Sequence, residues 1–148
     1  SRDLISSYEW DKRFIIGIKQ QVSPPPDSPD VLMKTKQAYA EWCLVFPHMP
    51  KPIRAGIGER IEYCFLEIIE CVFCAWYSPK EKKMLLVIKA TERLDVLKLF
   101  LTTAWENKML STGFYSSLIE KLYEVGRMLY RWRFVCEEKL PQGAGENK

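Results

Sequence analysis

Glu124-Val125-Gly126-Arg127-Met128-Leu129-Tyr130-Arg131-Trp132 is a strongly helical run with apolar residues at helical spacing and a glycine at its centre. Glycine inside a helix costs roughly 1 kcal/mol relative to alanine. It is usually kept where a second helix must approach the backbone closely. Arg127 and Arg131 stand one turn apart and project together, with Trp132 and Arg133 following on adjoining faces. One helix therefore combines a tight packing face with a cationic face. That combination points to a bundle that assembles and binds something acidic.

Outward from this run, the helix is predicted from about Gly113 to Cys136, capped by Ser111 or Thr112. Its stripe is Phe114, Leu118, Leu122, Val125, Met128, Leu129 and Trp132. Upstream, Ser78-Pro79-Lys80-Glu81 has the form of a helix start: a hydroxyl at the N-cap, proline at the first helical position and glutamate three residues after the cap. The helix it opens continues to about Asn107 through Met84, Val87, Ile88, Thr91, Leu94, Leu97, Leu101 and Ala104. A helix from about Ile53 to Tyr77 carries Ile57, Ile61, Cys64, Ile68, Cys71, Val72 and Ala75 at helical spacing, widened by Phe65, Ile69 and Trp76. The first helix, from about Val31 to Phe46, stops at Pro47-His48-Met49-Pro50-Lys51-Pro52, where prolines forbid continuation.

Before these helices, Ser23 to Asp30 holds four prolines in eight residues, the composition of a stiff, extended linker. Residues 1–22 suggest an ordered arm or short strand, with Phe14, Ile16 and Ile18 alternating. The expected fold is all-α: an up-down antiparallel four-helix bundle at 30–136, an N-terminal arm and proline-rich linker at 1–29, and a flexible tail at 137–148. Phe65, Phe73, Phe100, Tyr115 and Tyr123 fall beside or opposite the core stripes. Such surplus apolar surface implies burial against another subunit or under the arm.

The chain of 148 residues is long enough for one domain with a single core, and an apolar fraction of 47% argues against global disorder. A net charge of +3 conceals local basic clusters: Lys51, Arg54 and Arg60; Lys80, Lys82 and Lys83; Arg127, Arg131 and Arg133. Clusters of this kind fit an acidic partner, nucleic acid included, or an ordinary solvated helix surface. The most apolar stretch, Cys64 to Tyr77, carries Glu67 and Glu70 and falls short of the roughly 20 residues of a membrane span. The first residues lack a basic region followed by an apolar one, and the five cysteines show no disulfide spacing. The expectation is a cytoplasmic protein with reduced thiols and no membrane contact.

Catalytic chemistry finds little support. The single histidine, His48, lies in the proline-rich turn with no orienting carboxylate nearby, which argues against a Ser-His or Cys-His site. Cys71-Val72-Phe73-Cys74 lies near the C-terminal end of its helix, away from the N-terminal dipole that activates a redox thiol. With Cys64 it offers three thiols where a structural metal wants four ligands, so these cysteines read as buried small apolar residues. Gly56-Ile57-Gly58 has no strand before it and no Gly-Lys-Ser/Thr after it. Gly56, Gly58, Gly126 and Trp132 are assigned to helix packing, with no catalytic residue, metal or cofactor expected.

Two motifs carry a family resemblance. Ile53-Arg54-Ala55-Gly56-Ile57-Gly58-Glu59-Arg60-Ile61 resembles the start of the second helix in a small bacterial four-helix-bundle family. That family includes the proteins encoded in intervening sequences of 23S ribosomal RNA genes and the accessory variability determinants of diversity-generating retroelements. Leu110-Ser111-Thr112, Tyr115 and Val125-Gly126-Arg127-Met128-Leu129-x-x-Trp132 resemble its fourth helix, and the likeness spans roughly residues 30–135. The family often has glycines where this chain has Tyr130 and Arg131, so the surface here is bulkier and more cationic. The arm and linker lie outside the shared bundle.

The resemblance to the retroelement proteins implies a homopentameric barrel with a positive surface and no active site. Such a protein binds a reverse transcriptase and template RNA or an RNA/DNA hybrid, and supports mutagenic cDNA synthesis. Carried onto this chain, Arg54, Arg60, Arg127, Arg131 and Arg133, with Lys80, Lys82 and Lys83, are the expected nucleic-acid or polymerase contacts. The alternative is a free-standing, RNA-associated bundle of the intervening-sequence type.

Overall fold

Four amphipathic stretches form four long helices in the computed structural model, which describes residues 28–139. They are α1 (Ser28–Cys43), α2 (Glu59–Trp76), α3 (Lys80–Glu106) and α4 (Thr112–Lys139). No strand occurs among the described residues. α1 packs against α2 and α4, and α3 against the same two, so the helices close a ring in chain order. Cross-helix contacts give their sense. The Arg60 guanidinium lies over the Phe100 ring; seven residues further along α2, Glu67 meets Arg93, seven residues earlier on α3. α2 and α3 therefore run antiparallel, as the short turn between them requires.

The core is the meeting of the four stripes. Trp42, Ile61, Phe65, Ile68, Leu97, Leu101, Leu118, Leu122 and Leu129 have no exposed surface. Each such side chain contributes roughly 1.5–3 kcal/mol relative to remaining in water. Trp42 stacks between Phe46 and Phe65, at centroid distances of 5.4 and 6.3 Å. Its indole Nε1–H and the Tyr39 hydroxyl donate to the two oxygens of Glu62, at 3.0 and 2.6 Å. Burial and this bond raise the Tyr39 phenol well above its ordinary value. Phe65 is thus a core residue, contrary to its expected place beside the stripe. Phe73, Phe100 and Tyr115 are half-buried and Tyr123 is exposed.

Connections differ from expectation for local reasons. α1 begins at Ser28, inside the anticipated linker, because proline is compatible with a helix's first turn. It ends at Cys43 rather than Phe46, giving way to a 3-10 turn at Phe46–His48. The chain re-enters helix at Lys51–Ile53 and passes through a widened π turn over Arg54–Gly58, kinked at Gly56, before α2 proper. Ser78 does not cap α3. Its hydroxyl donates backwards to the Cys74 carbonyl at 2.7 Å, and α3 starts one residue late, behind Pro79.

At the far end of α3, Met109 N–H bonds to the Ala104 carbonyl and Lys108 N–H to Trp105. This is a Schellman closure, with Lys108 in the left-handed region at φ 62°. Ser111 caps α4, its hydroxyl accepting the Phe114 N–H at 3.2 Å. α4 runs three residues past Cys136, into the segment expected to be tail. The arm at 1–22, the linker up to residue 27 and the tail from residue 140 lie outside the described residues.

Candidate nucleic-acid interface

Gly126 brings α4 close to α3. A Cβ there would meet the Leu94 Cδ2 methyl at 3.3 Å and the Lys98 Nζ at 4.0 Å. Above this close approach runs a surface groove of about 500 Å³. Tyr123, Arg127, Tyr130 and Arg131 of α4 form one wall, and Thr91, Asp95 and Lys98 of α3 the other. Tyr123 and Tyr130 are 54% and 69% exposed, unusually open for aromatic rings on a monomer surface. The Lys98 ammonium lies 4.7 Å from the centre of the Tyr123 ring. It also sits 3.6 Å from Asp95, and Arg127 reaches Glu124 at 2.9 Å. Exposed pairs such as these are worth at most about 1 kcal/mol. A phosphate can compete for both cations.

The eight expected contact residues do not form one patch. Arg127 and Arg131 share the groove. Arg133 is half-buried and turns to Glu137 at 3.3 Å. Lys80, Lys82 and Lys83 occupy the first turn of α3, which the antiparallel pairing places at the same end of the bundle as the C-terminal half of α4. Arg54 and Arg60 stand at the opposite end. Arg54 Nε donates to the Met49 carbonyl at 2.9 Å, tying down the proline-rich turn, and Arg60 covers Phe100. The sequence shows charge clusters but not which end of the bundle each reaches.

The assigned packing residues divide similarly. Trp132 is buried, and a Cβ on Gly58 would lie 3.0 Å from the Ile53 carbonyl and 3.1 Å from the Phe46 ring. Gly58 is thus required for close approach. Gly56 is exposed with nothing within 4 Å of such a Cβ, so it packs against no helix; its backbone instead departs from helical geometry within the π turn.

A second groove, of about 470 Å³, lies between α2 and α3. Tyr63, Leu66, Cys71, Cys74 and Leu86 line it together with Glu67, Glu70 and Lys89, so it is apolar and net acidic. Cys74 is exposed there, against its expected burial, whereas Cys64 and Cys71 are buried and burial pushes their thiols up. Such thiols are poor nucleophiles at neutral pH. His48 is exposed in its 3-10 turn. Among the described residues no three metal-ligating side chains converge, and no helix is long and apolar enough to cross a membrane.

Sequence reasoning missed Lys98, Tyr123 and Tyr130 as members of the basic groove. For the tyrosines the signal was present: Tyr123, Arg127 and Tyr130 follow the i, i+4, i+7 spacing of one helix face, with Gly126 beside them. Lys98 comes from another helix and had no such signal. Compared with known proteins, the chain matches no family model, no curated protein and no solved structure.

Proposed function

We propose that this chain is a non-catalytic accessory protein of a diversity-generating retroelement, binding its reverse transcriptase and template RNA to support mutagenic cDNA synthesis in the cytoplasm. The observation that carries this reading is the groove over Gly126. There Arg127, which belongs to the motif resembling the family's fourth helix, and Arg131, which stands where that family often has glycine, share a groove with two exposed tyrosines. Arginine suits phosphate and aromatic rings suit bases. The acidic, apolar groove between α2 and α3 supplies a chemically different face, suited to a protein: the polymerase or another copy of the chain in a ring, a pentamer by the family resemblance. Exposed Leu66, Leu85 and Leu99 add apolar surface on the same two helices.

The test is affinity capture of the full-length protein from its native host, with co-purifying proteins and RNA both identified. Recovery of a reverse transcriptase together with one structured RNA is the expected result. Recovery of ribosomal material without a polymerase would replace this reading with the free-standing, intervening-sequence type of bundle.

A further inference from the structure

Resting on the RNA-binding reading above, the geometry points to a narrower ligand: we infer that the α3–α4 groove takes unpaired nucleotides, with bases stacked on Tyr123 and Tyr130 and phosphates on Arg127, Arg131 and Lys98. Three features favour a single strand over a duplex. The first is the position of the rings. Tyr123 and Tyr130 are seven residues apart on α4, about 10 Å along its axis. They lie on either side of Gly126 and both line the groove. A duplex keeps its base faces inside the stack, where a helix-borne ring cannot reach them. A single strand presents every base face, and stacking is its commonest mode of capture.

The second feature is the interleaving of charge and ring. Arg127 lies between the two tyrosines in sequence and Arg131 beside the second, so each stacking position has a guanidinium within one turn of helix. Lys98 approaches from the opposite wall, over the Tyr123 ring. Asp95 and Glu124 also belong to this neighbourhood and now hold Lys98 and Arg127 through exposed ion pairs. The net positive charge is therefore small. A groove of this kind gains its affinity from ring contact more than from charge alone, unlike a surface built for duplex phosphates.

The third feature is the floor. Gly126 keeps it low, and the nearest apolar side chain beneath it, Leu94, is buried. The groove walls carry aromatic and cationic groups but no exposed aliphatic side chain. A docked protein would favour an apolar centre; the α2–α3 groove, with Tyr63, Leu66 and Leu86, has one.

The experiment is fluorescence anisotropy of the full chain with a short, unstructured RNA, and with the same strand annealed to its complement, across a range of salt. Tighter binding of the single strand is expected. Tyr123→Leu and Tyr130→Leu should each weaken it roughly fivefold or more, leaving the salt slope unchanged. Tyr123→Phe and Tyr130→Phe should retain affinity, because the ring face remains. Arg127→Gln with Arg131→Gln should instead reduce the slope of log affinity against log salt by about 1.4, the share of two phosphate contacts on a single strand.

Equal or tighter duplex binding, with leucine variants indistinguishable from wild type, would overturn the inference while leaving the accessory role intact. No RNA binding in any form would overturn both. A reverse transcriptase captured without RNA, and lost in the tyrosine variants, would make this groove a protein site and likewise overturn the inference.

Discussion

The carboxylate of Glu62 accepts the indole N–H of Trp42 at 3.0 Å, tying a fully buried ring on α1 to a half-buried acid on α2. Its other oxygen takes the Tyr39 hydroxyl. Both donors lie where water cannot easily replace the acceptor. Glu62→Leu is expected to destabilise the bundle by about 2–4 kcal/mol, since two charge-assisted bonds go and a buried N–H is left unmet. Glu62→Gln keeps a carbonyl oxygen and should lose less. Urea denaturation of the two variants would show this ordering; equal losses would mean that the carboxylate's charge, not its acceptors, matters here.

Gly58 faces backbone, which cannot retreat. Gly58→Ala places a methyl 3.0 Å from the Ile53 carbonyl and against the Phe46 ring. The expected cost is about 1–3 kcal/mol. Gly126→Ala meets only a leucine methyl that can shift, and gains helix propensity in return. Its stability should stay within about 1 kcal/mol of wild type. Thermal melts of both variants would separate the two kinds of close approach.

Lys108 holds a left-handed conformation that closes α3. Glycine is the usual residue at that position of a Schellman turn. Lys108→Gly should therefore stabilise the protein by about 0.5–1 kcal/mol, relief of the Cβ clash outweighing the added freedom of the unfolded chain. A lower denaturation midpoint for this variant would show that the lysine side chain contributes something its dihedral does not reveal.

Glu41 and Lys121 join α1 to α4 at 2.8 Å. Burial pushes the Glu41 carboxyl up, but hydrogen bonds from Lys121 and Ser117 and the lysine's charge outweigh it, leaving the group below its ordinary value. A carboxylate with a depressed folded value contributes stability above the ordinary carboxylate range and loses it as pH falls through the folded value. Lys121→Met should thus cost up to about 1 kcal/mol at neutral pH and flatten the loss of stability on acidification. Denaturation midpoints measured from neutral to acidic pH would reveal the difference, and parallel curves would count against the pair.

Much of the fold was legible because α4 repeats its apolar residues without interruption. Leu118, Leu122, Val125 and Leu129 mark a face that only a helix can gather, and all four are fully buried. Proline and glycine located the breaks but not the bond patterns that close them. Ser78 has the composition of a cap, yet its hydroxyl makes the local bond back to the Cys74 carbonyl, an alternative that the same composition allows. The candidate site was half visible. Arg127, Arg131 and Gly126 share a helix, and their relation is local. Lys98 joins them only after α3 folds back, and Arg54 and Arg60 leave them for the same reason.

The widened turn at Arg54–Gly58 is a kink, where Gly56 at φ −104° and ψ −110° leaves helical geometry between two helical stretches. It sets the direction in which α2 leaves the proline-rich corner. Helical backbone angles at Gly56 would straighten the segment and re-aim α2 relative to Phe46. Either Ile61, Phe65 and Ile68 would leave the core, or the corner anchored by Arg54 would have to move. The kink lets two joined helical stretches serve two unmatched neighbours, much as an elbow joins two pipes that do not share an axis.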